Sequence, residues 1–154
     1  MATKRLLKEL DQYRKDPSPA VPRLEPVSEH DLLHLTATLQ GPAGTAYEGG
    51  RWHLDIQIPS SYPNAPPTLH FTTPCCHPNV AFATGEICLD LLQTRWTPAY
   101  TVVRTLEAVQ MLLGEGGEVE SPLNVDVARL VREGDFVGAE GLVRFYTGLY
   151  AMAG

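Results

Sequence analysis

Three short segments carry residues able to do chemistry together: His77-Pro78-Asn79, Gly85-Glu86-Ile87-Cys88-Leu89-Asp90, and Trp96-Thr97-Pro98-Ala99. Cys88 sits among apolar neighbours, with the Trp-Thr-Pro run starting eight residues after it. A cysteine so placed reads in three ways. As a metal ligand it would join Cys75, Cys76 and His77, but three of those four residues are consecutive. Structural zinc pairs leave two to four residues between ligands so that both can face the ion, so the spacing argues against a metal. As the nucleophile of a Cys-His hydrolase, Cys88 would need the His77 imidazole within hydrogen-bond reach and a third group to orient it. As an ordinary free cysteine it would be a small buried hydrophobe.

The elements that must position these residues are legible from periodicity. Leu6, Leu7, Leu10 and Tyr13 predict an amphipathic helix over residues 3–14, with Lys4, Arg5 and Lys8 outside the apolar stripe. The proline-rich run Asp16 to Pro22 stops it, and an extended connector follows. Residues 33–40 and 51–58 alternate apolar and polar side chains, the period of half-buried strands, and the Gly-Pro and Gly-Gly turns between them predict a hairpin. A shorter strand is expected over 68–72. Thr97 and Pro98 read as the cap and first residue of a helix whose stripe Val102, Leu106, Val109 and Leu113 ends at Gly114, Gly116 and Gly117. Ser121-Pro122-Leu123 opens further helical material, with Val127, Leu130 and Val131, then Phe136, Ala139, Leu142, Val143, Tyr146 and Tyr150. Gly134 and Asp135 divide it into two helices. The order predicts an α+β domain.

Composition restricts the function classes. With 154 residues, 44% apolar and 19% charged, the chain reads as one globular domain over residues 1–154. A net charge of −6 argues against nucleic acid, because a phosphate-tracking surface needs clustered Lys and Arg. No apolar run approaches the roughly 20 residues that span a bilayer, so direct membrane insertion is not expected. The basic start lacks a secretory pattern, and the end, Tyr150 to Gly154, carries no prenylation box or peroxisomal address. Three cysteines, two adjacent, do not form a disulfide framework. A cytoplasmic protein with reduced thiols is expected, and any organelle would have to hold it through a partner.

Taken in order, His77-Pro78-Asn79, the Ile-Cys-Leu-Asp around Cys88 and the Trp96-Thr97-Pro98 run resemble the ubiquitin-conjugating enzymes. Tyr62-Pro63 and Pro66-Pro67 upstream and Ser121-Pro122-Leu123 downstream extend the likeness over nearly the whole chain. The resemblance implies an amino-terminal helix, a four-stranded antiparallel meander, a long active-site segment and carboxyl-terminal helices. It implies that Cys88 accepts ubiquitin from the activating enzyme as a thioester and passes it to a protein substrate. No cofactor is implied, since ATP is used by the activating enzyme. His77 and Pro78 would fix the active-site turn, with Trp96 as a further structural residue.

By the same likeness Asn79 is either an amide donor to the oxyanion or a tie holding the active-site loop. Asp90 is either a group that orients the incoming nucleophile or a solvated loop acid. Ser121 stands where many relatives carry an Asp, and a hydroxyl there can position an acceptor but is a poor base. Lys4, Arg5 and Lys8 resemble the binding site for the activating enzyme. Tyr62, Pro63, Asn64, Pro98 and Ala99 resemble the ligase-binding edge, and Asn64, where partners of thioester-forming ligases often carry Phe, points to RING-type ligases.

The segment between Asn79 and Cys88 is one residue longer than in the commonest relatives. With the tail from Ser121 to Asp126 and the Arg132-Glu133-Gly134-Asp135 run, it looks like the peroxisomal peroxin branch. That branch implies a membrane-anchored peroxin adaptor at the cytosolic face of the peroxisome. It also implies attachment of single ubiquitins to the cycling import receptor, on lysine or cysteine; the alternatives are a general cytosolic conjugating enzyme acting in protein degradation, or a noncatalytic ubiquitin-binding variant of the fold.

Overall fold

A computed structural model of the chain describes residues 1–88, 93, 96–115 and 117–152. Helix α1 (Ala2–Lys15) is followed by strands β1 (Arg23–Ser28), β2 (Asp31–Gln40), β3 (Arg51–Gln57) and β4 (Thr68–Phe71). After the irregular centre come helices α2 (Val102–Gly114), α3 (Val125–Arg132) and α4 (Phe136–Tyr150). The strands pair antiparallel in the order β1-β2-β3-β4, the meander that the resemblance implies. No helix among the described residues is long and apolar enough to cross a membrane.

One sheet face builds the core. Leu35, Ala37 and Leu39 of β2, with Trp52, Leu54 and Ile56 of β3, are buried against Leu6 and Leu10 of α1 and Leu106, Val109 and Leu113 of α2. Alternation leaves the polar set on the other face, where Asp55 bonds His34 and Thr38 Oγ1 lies 3.2 Å from His53 Nδ1. His34 of β2 and His53 of β3 are thus hydrogen-bonding partners on the polar side of the sheet.

Four expectations from the sequence are corrected. The connector after α1 contains a strand, β1, whose alternation is obscured by Pro26 and a register shift between Pro26 and Ser28. Proline is tolerated there because β1 is an edge strand. Helix α2 starts at Val102, capped by Thr101, whose Oγ1 accepts from the Arg104 amide at 3.1 Å. Thr97 instead closes a turn, its carbonyl accepting from the Tyr100 amide at 3.0 Å. Asn124, not Ser121, caps α3, and Asp135 caps α4 after Gly134, which adopts φ +78°. Finally, Leu7, Phe136 and Tyr150 are exposed. Leu7 lies about 100° around the helix from Leu6, off the face that Leu6, Leu10 and Tyr13 share.

Candidate active site

The His77-Pro78-Asn79 turn is tied down from three directions. The Asn79 amide N–H donates to His77 Nδ1 at 3.0 Å, so the ring's proton sits on Nε2, which donates to the Leu112 carbonyl near the end of α2 at 2.9 Å. The Pro78 carbonyl accepts from the amides of Leu123 and Asn124 at 2.8 and 3.1 Å, anchoring the segment before α3. The Asn79 side chain, 0% exposed, donates from Nδ2 to the Glu118 carbonyl and accepts at Oδ1 from the Glu118 amide, both at 2.7 Å. On the core side the Tyr47 hydroxyl donates to the Cys76 carbonyl, and Trp52 Nε1 donates to that of Pro74 at 3.1 Å.

Both ring nitrogens of His77 are therefore committed to backbone groups. Burial holds its pKa down to about 4, so the imidazole is neutral at pH 7 and offers no lone pair to a thiol. This removes the basis of a Cys-His hydrolase. His77 ties its own turn to the end of α2 through these two bonds.

From Asn79 the chain folds back on itself as a tight hairpin. Ala81 donates to Glu86 at 2.8 Å and Gly85 to Ala81 at 2.7 Å. Bridges join Val80 to Ile87, and Glu86 to His70 of the edge strand β4. Gly85 is required at the bend. Its φ is +76°, and a Cβ there would lie 1.7 Å from the Phe71 carbonyl oxygen. Phe82 at the tip packs on α4, its ring centroid 4.8 Å from that of Tyr146.

The hairpin returns Cys88 to a fixed place, where its amide donates to the Asn79 carbonyl at 2.9 Å. Of the three cysteines only Cys88 is half-buried, while Cys75 and Cys76 lie in the core. Burial pushes the Cys75 thiol up and that of Cys76 up to about 12, so neither forms a thiolate at neutral pH. No group of three metal-ligating side chains occurs among the described residues.

The remaining candidates fall around this frame. Asp90 lies outside the described residues. Ser121 is exposed in the segment that Pro78 anchors. Trp96 is half-buried and donates from Nε1 to the Pro63 carbonyl at 2.9 Å, with its ring 5.7 Å from that of Tyr62 and 6.0 Å from that of Tyr100. Asn64, Pro98 and Ala99 are exposed and Pro63 half-buried, whereas Tyr62 is buried. Tyr62 thus supports the edge from beneath and presents no ring to a partner.

Lys4 and Lys8 are exposed, but Arg5 is half-buried. Its guanidinium donates to the carbonyls of Pro98 and Tyr100, both at 2.9 Å, and to Glu9. Arg5 is an internal strut as well as part of the basic face.

Two further residues shape the site beyond what their place in the sequence predicts. Gly117, at φ +69°, lets the chain pass over Asn79 and His77, where a Cβ would lie 2.1 Å from Asn79 Oδ1 and 2.5 Å from His77 Cε1. Glu9 is nearly buried and receives donors from α1, the Tyr62 turn and α2. The Gly114–Gly117 run signals a helix end but not this close approach, and Glu9 reads as one more charge on a solvated helix.

Comparison with known proteins agrees with this geometry. The family model described as ubiquitin-conjugating enzyme matches residues 5–137. The chain is 49% identical to the ubiquitin-conjugating enzyme E2 PEX4 of Gibberella zeae, covering 94% of this chain and 86% of that one. It is 39% identical to PEROXIN-4 of Arabidopsis thaliana, covering 96% and 94%. The H. polymorpha ubiquitin-conjugating enzyme Pex4p, solved in complex with the soluble domain of Pex22p, superposes with a TM-score of 0.90 at 34% identity over 97% of this chain and 98% of that one. The hairpin that holds Cys88, the neutral His77 and the Asn79 clamp therefore belong to a member of the ubiquitin-conjugating enzyme family, similar over most of its length to enzymes named as the peroxin PEX4.

Proposed function

We propose that the chain carries ubiquitin as a thioester on Cys88. The Cys88 sulfur attacks the thioester carbonyl presented by the activating enzyme, a new carbon–sulfur bond forms, and the donor's thiol leaves. An acceptor then attacks the same carbonyl carbon and loses its proton to solvent, the bond from that carbon to the Cys88 sulfur breaks, and Cys88 leaves as a thiolate that solvent reprotonates. A thiol leaves without an acid to expel it, so no His partner is needed. The observation that carries this reading is that Cys88 alone among the cysteines reaches solvent, on backbone fixed against Asn79.

Asn79 acts in this scheme as a clamp. Its amide nitrogen and oxygen are both spent on Glu118, and service to an oxyanion would mean giving up a bond to that backbone. Ser121 orients the acceptor without deprotonating it. That favours a cysteine acceptor. At pH 7.5 a thiol of pKa near 8.5 is about 10% ionised, against about 0.1% free amine for a lysine near 10.4. The exposed Lys4 and Lys8, with Arg5 at their side, meet the activating enzyme, and the loops of Pro63-Asn64 and Pro98-Ala99 meet a RING-type ligase.

The finer reading is attachment of single ubiquitins to the cycling peroxisomal import receptor, with a membrane-anchored adaptor holding the protein at the cytosolic face. Its supports are the peroxin names of the relatives and the Pex22p domain bound to the H. polymorpha enzyme. The test is reconstitution with activating enzyme, ATP, ubiquitin and the host's import receptor, followed by mass spectrometry of the receptor, alongside affinity purification from detergent extracts. Receptor carrying single ubiquitins, and recovery of a membrane-anchored peroxin, are expected. Efficient charging with an unmodified receptor and no such partner would instead indicate a general conjugating enzyme acting in protein degradation.

A further inference from the structure

Glu9 is not on either partner surface, yet it touches the supports of both. Its side chain is 8% exposed. Oε1 accepts from the Val102 amide at 2.8 Å, the first amide of α2 and one of those that a helix leaves without an internal partner. Oε2 accepts from Arg5 Nε at 2.9 Å and from the Tyr62 hydroxyl. Arg5 in turn reaches the Pro98 and Tyr100 carbonyls, and its guanidinium carbon lies 5.8 Å from the Tyr62 ring centroid. The Tyr62 ring lies against that of Trp96 at a 39° tilt, and Trp96 Nε1 holds the Pro63 carbonyl. One carboxylate thus joins α1, the start of α2, and the inner sides of the two loops assigned above to ligase binding.

We propose that Glu9, acting through Arg5 and Tyr62, is a positioning residue for ligase engagement: it fixes the spacing of the Tyr62–Asn64 and Trp96–Tyr100 loops so that both meet one partner surface. This rests on the RING-ligase reading of that edge. The chemistry of the contacts explains why a carboxylate is needed. Three donors converge on it, and hydrogen bonds to a charged acceptor are roughly twice as strong as neutral ones. A glutamine offers one acceptor oxygen and turns its amide hydrogens on at least one of those donors. A merely structural Glu9 would stabilise the whole fold without preference for one partial reaction. A positioning Glu9 affects the ligase step above the others, because it reaches one ligase loop directly at Tyr62 and the other through the Arg5 bonds to the Pro98 and Tyr100 carbonyls, while none of its contacts runs to the Cys88 hairpin.

The test compares wild type, Glu9→Gln and Tyr62→Phe in four measurements: thermal midpoint, rate of charging by activating enzyme, discharge of the thioester to free cysteine alone, and discharge stimulated by a purified RING domain chosen because it accelerates the wild type. Glu9→Gln is expected to charge and to discharge unaided within about twofold of wild type. Its RING-stimulated discharge is expected to require about tenfold more RING domain for half-maximal effect, with the maximal rate kept. That is the ratio equivalent to about 1.4 kcal/mol of lost binding. Tyr62→Phe removes one hydroxyl and leaves the remaining contacts, so it gives a smaller loss of the same kind even if Glu9→Gln folds poorly. Equal losses in all three rates, in step with the thermal midpoint, or an unchanged RING response in both variants, would overturn the proposal. A wild-type thioester that no RING domain accelerates would remove the ligase reading itself, and the proposal with it.

Discussion

Replacing Asn79 with alanine separates the two roles open to this residue. The side chain is wholly buried and makes two 2.7 Å bonds to the Glu118 backbone, one in each direction. Net contributions of about 0.5–1.5 kcal/mol per hydrogen bond give about 1–3 kcal/mol for the pair. For a chain of this size each kcal/mol moves the thermal midpoint by about 2–4 °C, so a drop of about 2–12 °C is expected. The Glu118 amide loses its acceptor and should exchange with deuterium faster, by about tenfold for each 1.4 kcal/mol of lost protection. Asn79→Asp should do no better, since it sets a carboxylate oxygen against the Glu118 carbonyl. The assay pairs urea denaturation and amide exchange with single-turnover discharge of the Cys88 thioester. If the amide instead serves only the transition state, it would lower the barrier by a few kcal/mol and contribute nothing to the fold. Unchanged stability and Glu118 exchange, with a discharge rate lowered about a hundredfold, would refute the clamp.

Three further outcomes are expected. His77 is held neutral by burial, with its folded pKa lowered to about 4 from 6.5. Below pH 6.5 the unfolded chain binds the proton first, so stability present above that value is lost toward pH 4 at up to about 1.4 kcal/mol per unit. Urea denaturation of wild type and His77→Gln between pH 7 and 5 should show a shallower slope in the variant, and equal slopes would contradict the assignment. Gly117→Ala sets a Cβ against Asn79 and His77 at a positive φ, and is expected to destabilise the protein by more than the roughly 1 kcal/mol of an ordinary backbone penalty, read by denaturation. Ser121→Asp supplies a base where the chain has only a hydroxyl. Discharge to free lysine should rise about tenfold while discharge to free cysteine changes little, and equal gains for both acceptors would show that Ser121 does not discriminate between them.

Local pattern revealed the elements whose cause is local. The Leu6-Leu10-Tyr13 stripe, the alternation in β2 and β3 and the Gly134-Asp135 break each depend on neighbours within a turn or a strand. The errors lie where a distant group decides. Thr97 and Thr101 are both able to cap a helix, and the start of α2 is fixed instead at Val102, whose amide bonds Glu9 across 93 positions of sequence. Tyr62, grouped by resemblance with the ligase-binding edge, is instead enclosed by Glu9 and Trp96. Edge strand β1 hides behind Pro26. In the candidate site, Cys88, His77, Pro78 and Asn79 stand out in the sequence because their order resembles a known family. The geometry then distinguishes the neutral, fully bonded His77 from a catalytic base, a distinction that residue types alone leave open. Gly117 and Glu9 carry no motif, since one acts by lacking an atom and the other by gathering donors from three elements.

The account depends on Cys88 being the atom that holds ubiquitin. The most direct measurement is incubation of the protein with activating enzyme, ATP and ubiquitin, with the products separated without reductant. A species heavier by one ubiquitin is expected, lost on adding thiol reductant and absent from Cys88→Ala, while Cys75→Ala and Cys76→Ala each still form it. A Cys88→Ala protein that charges like wild type, or an adduct that survives reductant, would contradict it.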